Sequence, residues 1–161
     1  MTPTPIPHST ILNPPQKPLL EDVTDADGKR GLHWNYHRGQ QRAMNSRKRF
    51  VLVLAGTRSG KTSMSPDWLL REIIRKGQGD YLVVAPNYPL LEKAAIPEID
   101  YYYRQKLHLG SIKGKPFGFH LSTEGEKRLF GVPQERPTRV LFGHADNPES
   151  LESMRAKAAV L

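Results

Sequence analysis

Residues 50–64 read FVLVLAGTRSGKTSM. The first five are apolar without alternation, the pattern of a short strand covered on both faces, as in a parallel sheet. From Lys61 the spacing turns helical. Trp68, Leu69, Glu72, Ile73 and Lys76 divide a helix over 61–76 into apolar and polar faces, and Gly77 and Gly79 stop it. Between strand and helix, Ala55-Gly56-Thr57-Arg58-Ser59-Gly60-Lys61-Thr62 fits a phosphate-binding loop, with alanine where the strict pattern has its first glycine. A turn of this kind aims consecutive backbone N–H groups at an anion, and the helix N-terminus adds the positive end of its dipole. Gly60 lets the backbone come close, Lys61 reaches the β- and γ-phosphates of a nucleotide, and the Thr62 hydroxyl ligates Mg²⁺. The expected nucleotide-binding set is Gly56, Thr57, Ser59, Gly60, Lys61, Thr62 and Ser63.

The rest of the chain fits the same architecture. YLVVA at 81–85 is a second buried strand, turned by Pro86 and Asn87. Residues 90–107 are helical, with a break expected at Pro97, and Tyr101, Tyr102 and Tyr103 cover that helix. Residues 120–123 and 127–130 are expected to pair as a hairpin around Glu124-Gly125. RVLF at 139–142 is a third buried strand. Asn147-Pro148-Glu149 has the signature of a helix start, with a cap followed by proline. AAVL at 158–161 opens a fourth strand. Strands alternating with helices predict an α/β fold of the P-loop NTPase kind, a parallel sheet flanked by helices and incomplete at its C-terminal end. Six prolines between Pro3 and Pro18 prevent continuous helix or ladder, so residues 1–31 are expected to form a flexible arm and 32–161 a partial P-loop domain. Residues 40–46 can form a short helix, followed by the basic run Arg47-Lys48-Arg49.

The chain has 161 residues, the size of one domain, and a formal net charge of +8, which favours an anionic partner. It has no cysteine, which excludes disulfides, thiolate metal sites and cysteine nucleophiles. No apolar run reaches the roughly 20 residues of a membrane helix, and the N-terminus lacks the basic start and apolar middle of a signal peptide. The cytosol is therefore expected. His33 and His37 stand four apart, but no further ligand lies near them for a zinc site. There is no G-x-S-x-G nucleophile motif.

Four stretches together resemble the N-terminal ATPase part of a phage terminase large subunit, the motor that packages DNA into a capsid. HRGQQRAM followed by RKRFVLVLAGTRSGKT is similar to that family's glutamine motif and phosphate loop. LVVAPNYPLLEKA is similar to its following strand and turn. VLFGHADNPESLESM is similar to a strand ending in a small polar turn, and AKAAVL to the start of the next strand. The resemblance covers residues 34–161. It implies that Gln40, with Gln41 as the neighbouring alternative, contacts the adenine edge, since an amide donates and accepts together there. It implies that Arg58, beside Lys61, acts on the transferring phosphoryl charge, although Thr57 fills the position where some members place that arginine. It also implies ATP and Mg²⁺ as cofactors, double-stranded DNA, a portal and a small terminase subunit as partners, a homo-oligomeric ring for the full-length motor, and the host cytoplasm as its location.

ATP hydrolysis needs an acid to hold Mg²⁺ and another to orient the attacking water. In the family resembled, both follow a buried strand as Asp-Glu. Here YLVVA runs into Pro86, and RVLF runs into a turn that carries Asp146, a weak substitute ligand. By resemblance, the two acids would follow Leu161. The chain as given is expected to bind ATP without useful turnover. Two other readings remain: a truncated helicase-like ATPase, and a non-catalytic module that binds nucleotide or DNA.

Overall fold

The structure is a computed structural model that describes residues 20–54, 56, 59–132, 135–147, 149–152 and 155–161. The chain divides into two compact units, with the boundary after Gln41.

In the first unit β1 (Leu20–Thr24) pairs antiparallel with β2 (Arg30–Trp34), Leu20 opposite Trp34 and Thr24 opposite Arg30. The Asp25 carboxylate folds the turn by accepting the N–H groups of Asp27 at 3.0 Å and Lys29 at 2.7 Å. The expected arm over 1–31 is thus corrected from residue 20 onward. The prolines end at Pro18, and TDADGK supplies the turn chemistry of a hairpin. Residues 1–19 lie outside the described residues. Helix α1 (Arg38–Met44) opens on a reciprocal cap. The His37 Nδ1 accepts the Gly39 N–H at 3.1 Å, and the Gln40 Oε1 accepts the His37 N–H at 3.1 Å.

The second unit is built on a five-stranded sheet. Its strands are β3 (Asp80–Ala85), β4 (Gly110–Gly114), β5 (Phe117–Leu121), β6 (Arg139–His144) and β7 (Ala159–Val160), in the order β4-β5-β6-β3-β7. The expected strands near 81–85, 139–142 and 158–161 form its parallel part, with β3 between β6 and β7. The β4–β5 hairpin adds two antiparallel strands, so the sheet is mixed. Helix α2 (Lys61–Lys76) matches its expected bounds. The helical stretch expected over 90–107 comprises α3 (Tyr88–Leu90), a π-helical turn (Leu91–Ala95), α4 (Ile96–Ile99) and a second π-helical segment (Asp100–Lys106). Pro97 lies in α4 without ending the helix: the wider turns on either side absorb it.

Both long helical segments cover one sheet face. Tyr81, Val83, Phe119, Val140 and Phe142 are buried there. The Tyr103 ring meets Phe119 edge-on at 5.4 Å, and its hydroxyl donates to the Pro66 carbonyl of α2 at 2.9 Å. On the opposite face Leu151 of α6 (Glu149–Glu152) lies against Gly143.

Two expectations fail here. The predicted hairpin over 120–130 is a strand end followed by a helix. Ser122 caps α5 (Thr123–Phe130) by accepting the Gly125 N–H at 3.0 Å, and Gly131 closes it through a bond to the Lys127 carbonyl at 2.8 Å. Residues 117–121 pair instead with 110–114, a strand that the sequence reading missed. The buried Glu126 ties α5 to the sheet by accepting the Thr138 N–H at 2.6 Å.

The second failure is the run 50–54, which forms no strand among the described residues. Phe50, Leu52 and Leu54 are 82%, 82% and 85% exposed. A strand apolar at every position needs both faces and both edges covered. Helix α2 connects this run to β3 across the same face that carries the β3-to-β6 connection. A right-handed crossover therefore puts the run on the β7 side of β3. On that side the sheet offers only β7, two residues long.

Candidate phosphate-binding site

The site forms where the chain enters α2. Gly60 adopts φ 73°, ψ 20°, a left-handed conformation that costs glycine nothing. Its carbonyl accepts the Met64 N–H at 3.1 Å, the first helical bond of α2. The Lys61 ammonium turns back over the loop and donates to the Gly56 carbonyl at 2.8 Å and the Ser59 hydroxyl at 3.4 Å. Lys61 and Thr62 are exposed, and Ser59, Gly60 and Ser63 are half-buried. The first turn of α2 carries no acidic residue of its own, and the Glu98 carboxylate of α4 reaches it through the Ser63 hydroxyl. Ala55, Thr57 and Arg58 lie outside the described residues.

Pro66 stands inside α2 and has no N–H to give to the Thr62 carbonyl. The Ser65 hydroxyl donates to that carbonyl instead, at 2.6 Å. The helix is then held at both ends. Near its start the Asp67 carboxylate accepts the Tyr102 hydroxyl at 3.2 Å and pairs with Arg71 at 3.0 Å. At its end the Tyr81 hydroxyl donates to the Gly77 carbonyl at 2.6 Å. Burial pushes the Tyr81 phenol up to about 12, so it stays a donor throughout the neutral range.

Thr62 lines an open groove of about 530 Å³ with Lys93, Ala94, Pro97, Glu98 and Tyr101. The Ser63 hydroxyl, expected to face the nucleotide, donates to the Glu98 carboxylate at 2.9 Å and ties the α2 start to α4. Lys93, Glu98 and Tyr101 were not singled out as site residues. For Lys93 and Tyr101 the trace in the sequence is helical spacing, with Lys93, Pro97 and Tyr101 recurring every four residues; Glu98 lies off that series.

Gln40 belongs to the first unit and the loop to the second. The Gln40 side chain is 4% exposed, and its carbonyl oxygen is committed to the His37 cap. Gln41 is exposed, and its amide donates to the Tyr36 carbonyl at 2.9 Å. Asp146 is exposed in the turn after β6. Among the described residues no group of three or more His, Asp or Glu side chains could hold a metal ion. Thr62 supplies a single hydroxyl. That donor set suits a Mg²⁺ carried in on nucleotide phosphates, which takes one or two protein oxygens and keeps several waters.

No family model, no curated protein and no solved structure matches the chain. Among the described residues no helix is long and apolar enough to cross a membrane.

Proposed function

We propose that this chain is the nucleotide-binding part of a P-loop ATPase, of the kind found at the N-terminus of a terminase large subunit, which drives double-stranded DNA into a capsid. One observation carries the reading. The G-K-T of the loop stands at the start of a 16-residue helix, with Gly60 left-handed and the Lys61 ammonium drawn over the loop. Helix α2 ends beside the first residue of β3 and runs back along the strands, so its N-terminus points toward their carboxyl ends. Ligands of open α/β sheets bind at that end.

In this reading the loop amides and the Lys61 ammonium hold the β- and γ-phosphates, and Thr62 completes the shell of the Mg²⁺ that accompanies them. Mg²⁺ supplies charge neutralisation across the phosphates when bound. Arg58 and Gln40 keep the roles that the resemblance implies. Strand β7 is parallel to β3, with Val160 opposite Val83. An acidic pair after Leu161 would then emerge level with Ala85 and Pro86, at the same end of the sheet.

The test is titration with MgATP. Lys61→Ala removes a charge-assisted bond worth about 1.5–3 kcal/mol, so binding should weaken by roughly ten- to a hundredfold. Equal affinity of the variant and the wild type would overturn the proposal.

A further inference from the structure

We propose that the solvent face of the β4–β5 hairpin holds the phosphate backbone of a DNA duplex. This deepens the DNA-handling part of the reading above and is independent of its nucleotide part. Between Asp100 and Glu124 the chain has no acidic residue, while Arg104, Lys106, Lys113 and Lys115 are basic. Arg104 is neutralised by Asp100 at 2.6 Å. Lys113 and Lys115 are exposed and form no ion pair among the described residues.

The fold turns this composition into a surface. Side chains alternate across the hairpin. Phe119 and Leu121 are buried, and Phe117 meets Phe142 at 5.4 Å, so that set faces the core. The other set, Ser111, Lys113 and His120, faces out, with Ser111 opposite His120 and His120 opposite Arg139. The Arg139 guanidinium grips both oxygens of Asp80 at 2.7 Å, so this carboxylate beside the row is paired. The exposed Glu124 and the buried Glu126 lie on α5, beyond the hairpin. The His120 Nε2 donates to the Pro116 carbonyl at 2.8 Å and holds the turn that carries Lys115.

Strand β4 is also the outermost strand of the sheet, so alternate N–H groups point outward beside Lys113. Lysines together with outward backbone N–H groups are the usual donors to phosphate oxygens. Lys113 stands near the end of β4 and Lys115 in the turn that follows, two residues apart on one exposed rim. A polyanion of regular charge spacing fits this row better than an isolated anion does.

The experiment measures binding of the full chain to a short fluorescein-labelled DNA duplex across a salt series. Lys113→Glu with Lys115→Glu should cut affinity at low salt by at least about tenfold, and should flatten the dependence of log K on log salt by about 2. Lys29→Glu with Arg30→Glu makes the same change in net charge on the β1–β2 hairpin and should leave most of the binding intact. The milder pair Lys113→Gln with Lys115→Gln should show the same loss at smaller size, with an unfolding transition like that of the wild type. MgATP affinity is measured on the same variants without DNA and should be unchanged by Lys113→Gln with Lys115→Gln, so failure of the nucleotide reading would be seen separately. Equal losses in the two glutamate variants would reduce the effect to net charge and overturn the proposal. No loss at Lys113 and Lys115 would leave them as mere guards of an edge strand and also overturn it. So would binding of the wild-type chain to anionic vesicles but not to the duplex.

Discussion

Tyr81 shows how one residue can hold a site it does not touch. Its ring is buried in the core, and its hydroxyl fastens the last turn of α2 through the Gly77 carbonyl. The folded phenol titrates near 12 against 10.0 for an unburied one, because burial disfavours the charged form. A raised pKa gives stability that is complete below the unfolded value, so this contribution is full below about pH 10 and is lost as pH rises from there through about 12. Tyr81→Phe should cost about 1 kcal/mol at neutral pH through the lost bond. It should also lose less stability than the wild type between about pH 8 and about pH 11. Denaturant titrations at the two pH values check this, and an equal decline in both proteins would contradict it. Gly118 matters for a different reason. A Cβ there would press on the Val140 backbone carbonyl of the next strand. Gly118→Ala should therefore destabilise the chain by about 1–3 kcal/mol, read from the shift in its denaturation midpoint. At this scale the sequence is legible where the backbone forces a residue type, as at Gly60 with its left-handed φ of 73°. It is silent where packing does the choosing. Glu98 and Lys93 reach the groove only because α4 and its π-helical neighbour pack beside α2.

Elements were readable when two signals agreed. Helix α2 has a glycine before it and another after it, with helical spacing between, and its bounds were correct. Strands β3 and β6 are unbroken apolar runs, and they pair as expected. Helix α5 was misread because its signals pointed both ways. Glu124-Gly125 can serve as a hairpin turn, while Ser122 as N-cap and Gly131 after the last turn mark a helix. The helix prevails through tertiary contact: Glu126, placed by the cap, becomes the buried acceptor of the Thr138 N–H. Strand β4 was missed because GSIKG holds one apolar residue between glycines, and its pairing comes from β5 rather than from its own propensity. The cap is testable. Ser122→Ala should cost about 1 kcal/mol, and Ser122→Asp should restore most of it, since a carboxylate accepts from the same N–H and favours a helix start. Thermal unfolding of the two variants decides between this cap and a hairpin turn, in which neither change would matter.

At the scale of the whole chain, the run 50–54 before the candidate phosphate loop is also the one whose expected strand the structure does not form. The pattern of 50–54 states what the segment needs, two covered faces and two paired edges. It does not state that those covers are present. In the structure Phe50, Leu52 and Leu54 stand in solvent, and Phe50 is touched by the Arg49 guanidinium 5.3 Å above its ring. Exposed apolar residues contribute nothing to folding and drive self-association. Leu52→Ser with Leu54→Ser should therefore change stability by less than about 0.5 kcal/mol, as surface substitutions do. The same pair should shift the chain toward monomer in sedimentation at rising concentration. A buried strand would respond in the opposite way. Each leucine would then cost about 2–5 kcal/mol on truncation, and the pair would unfold most domains of this size. A large loss of stability would place 50–54 inside a sheet in solution. A small loss with weakened self-association would leave 50–54 exposed in solution, as it is in the structure. In that case the braced part of the candidate site is the Gly60–Ser63 corner, held by Glu98 and the Ser65 hydroxyl.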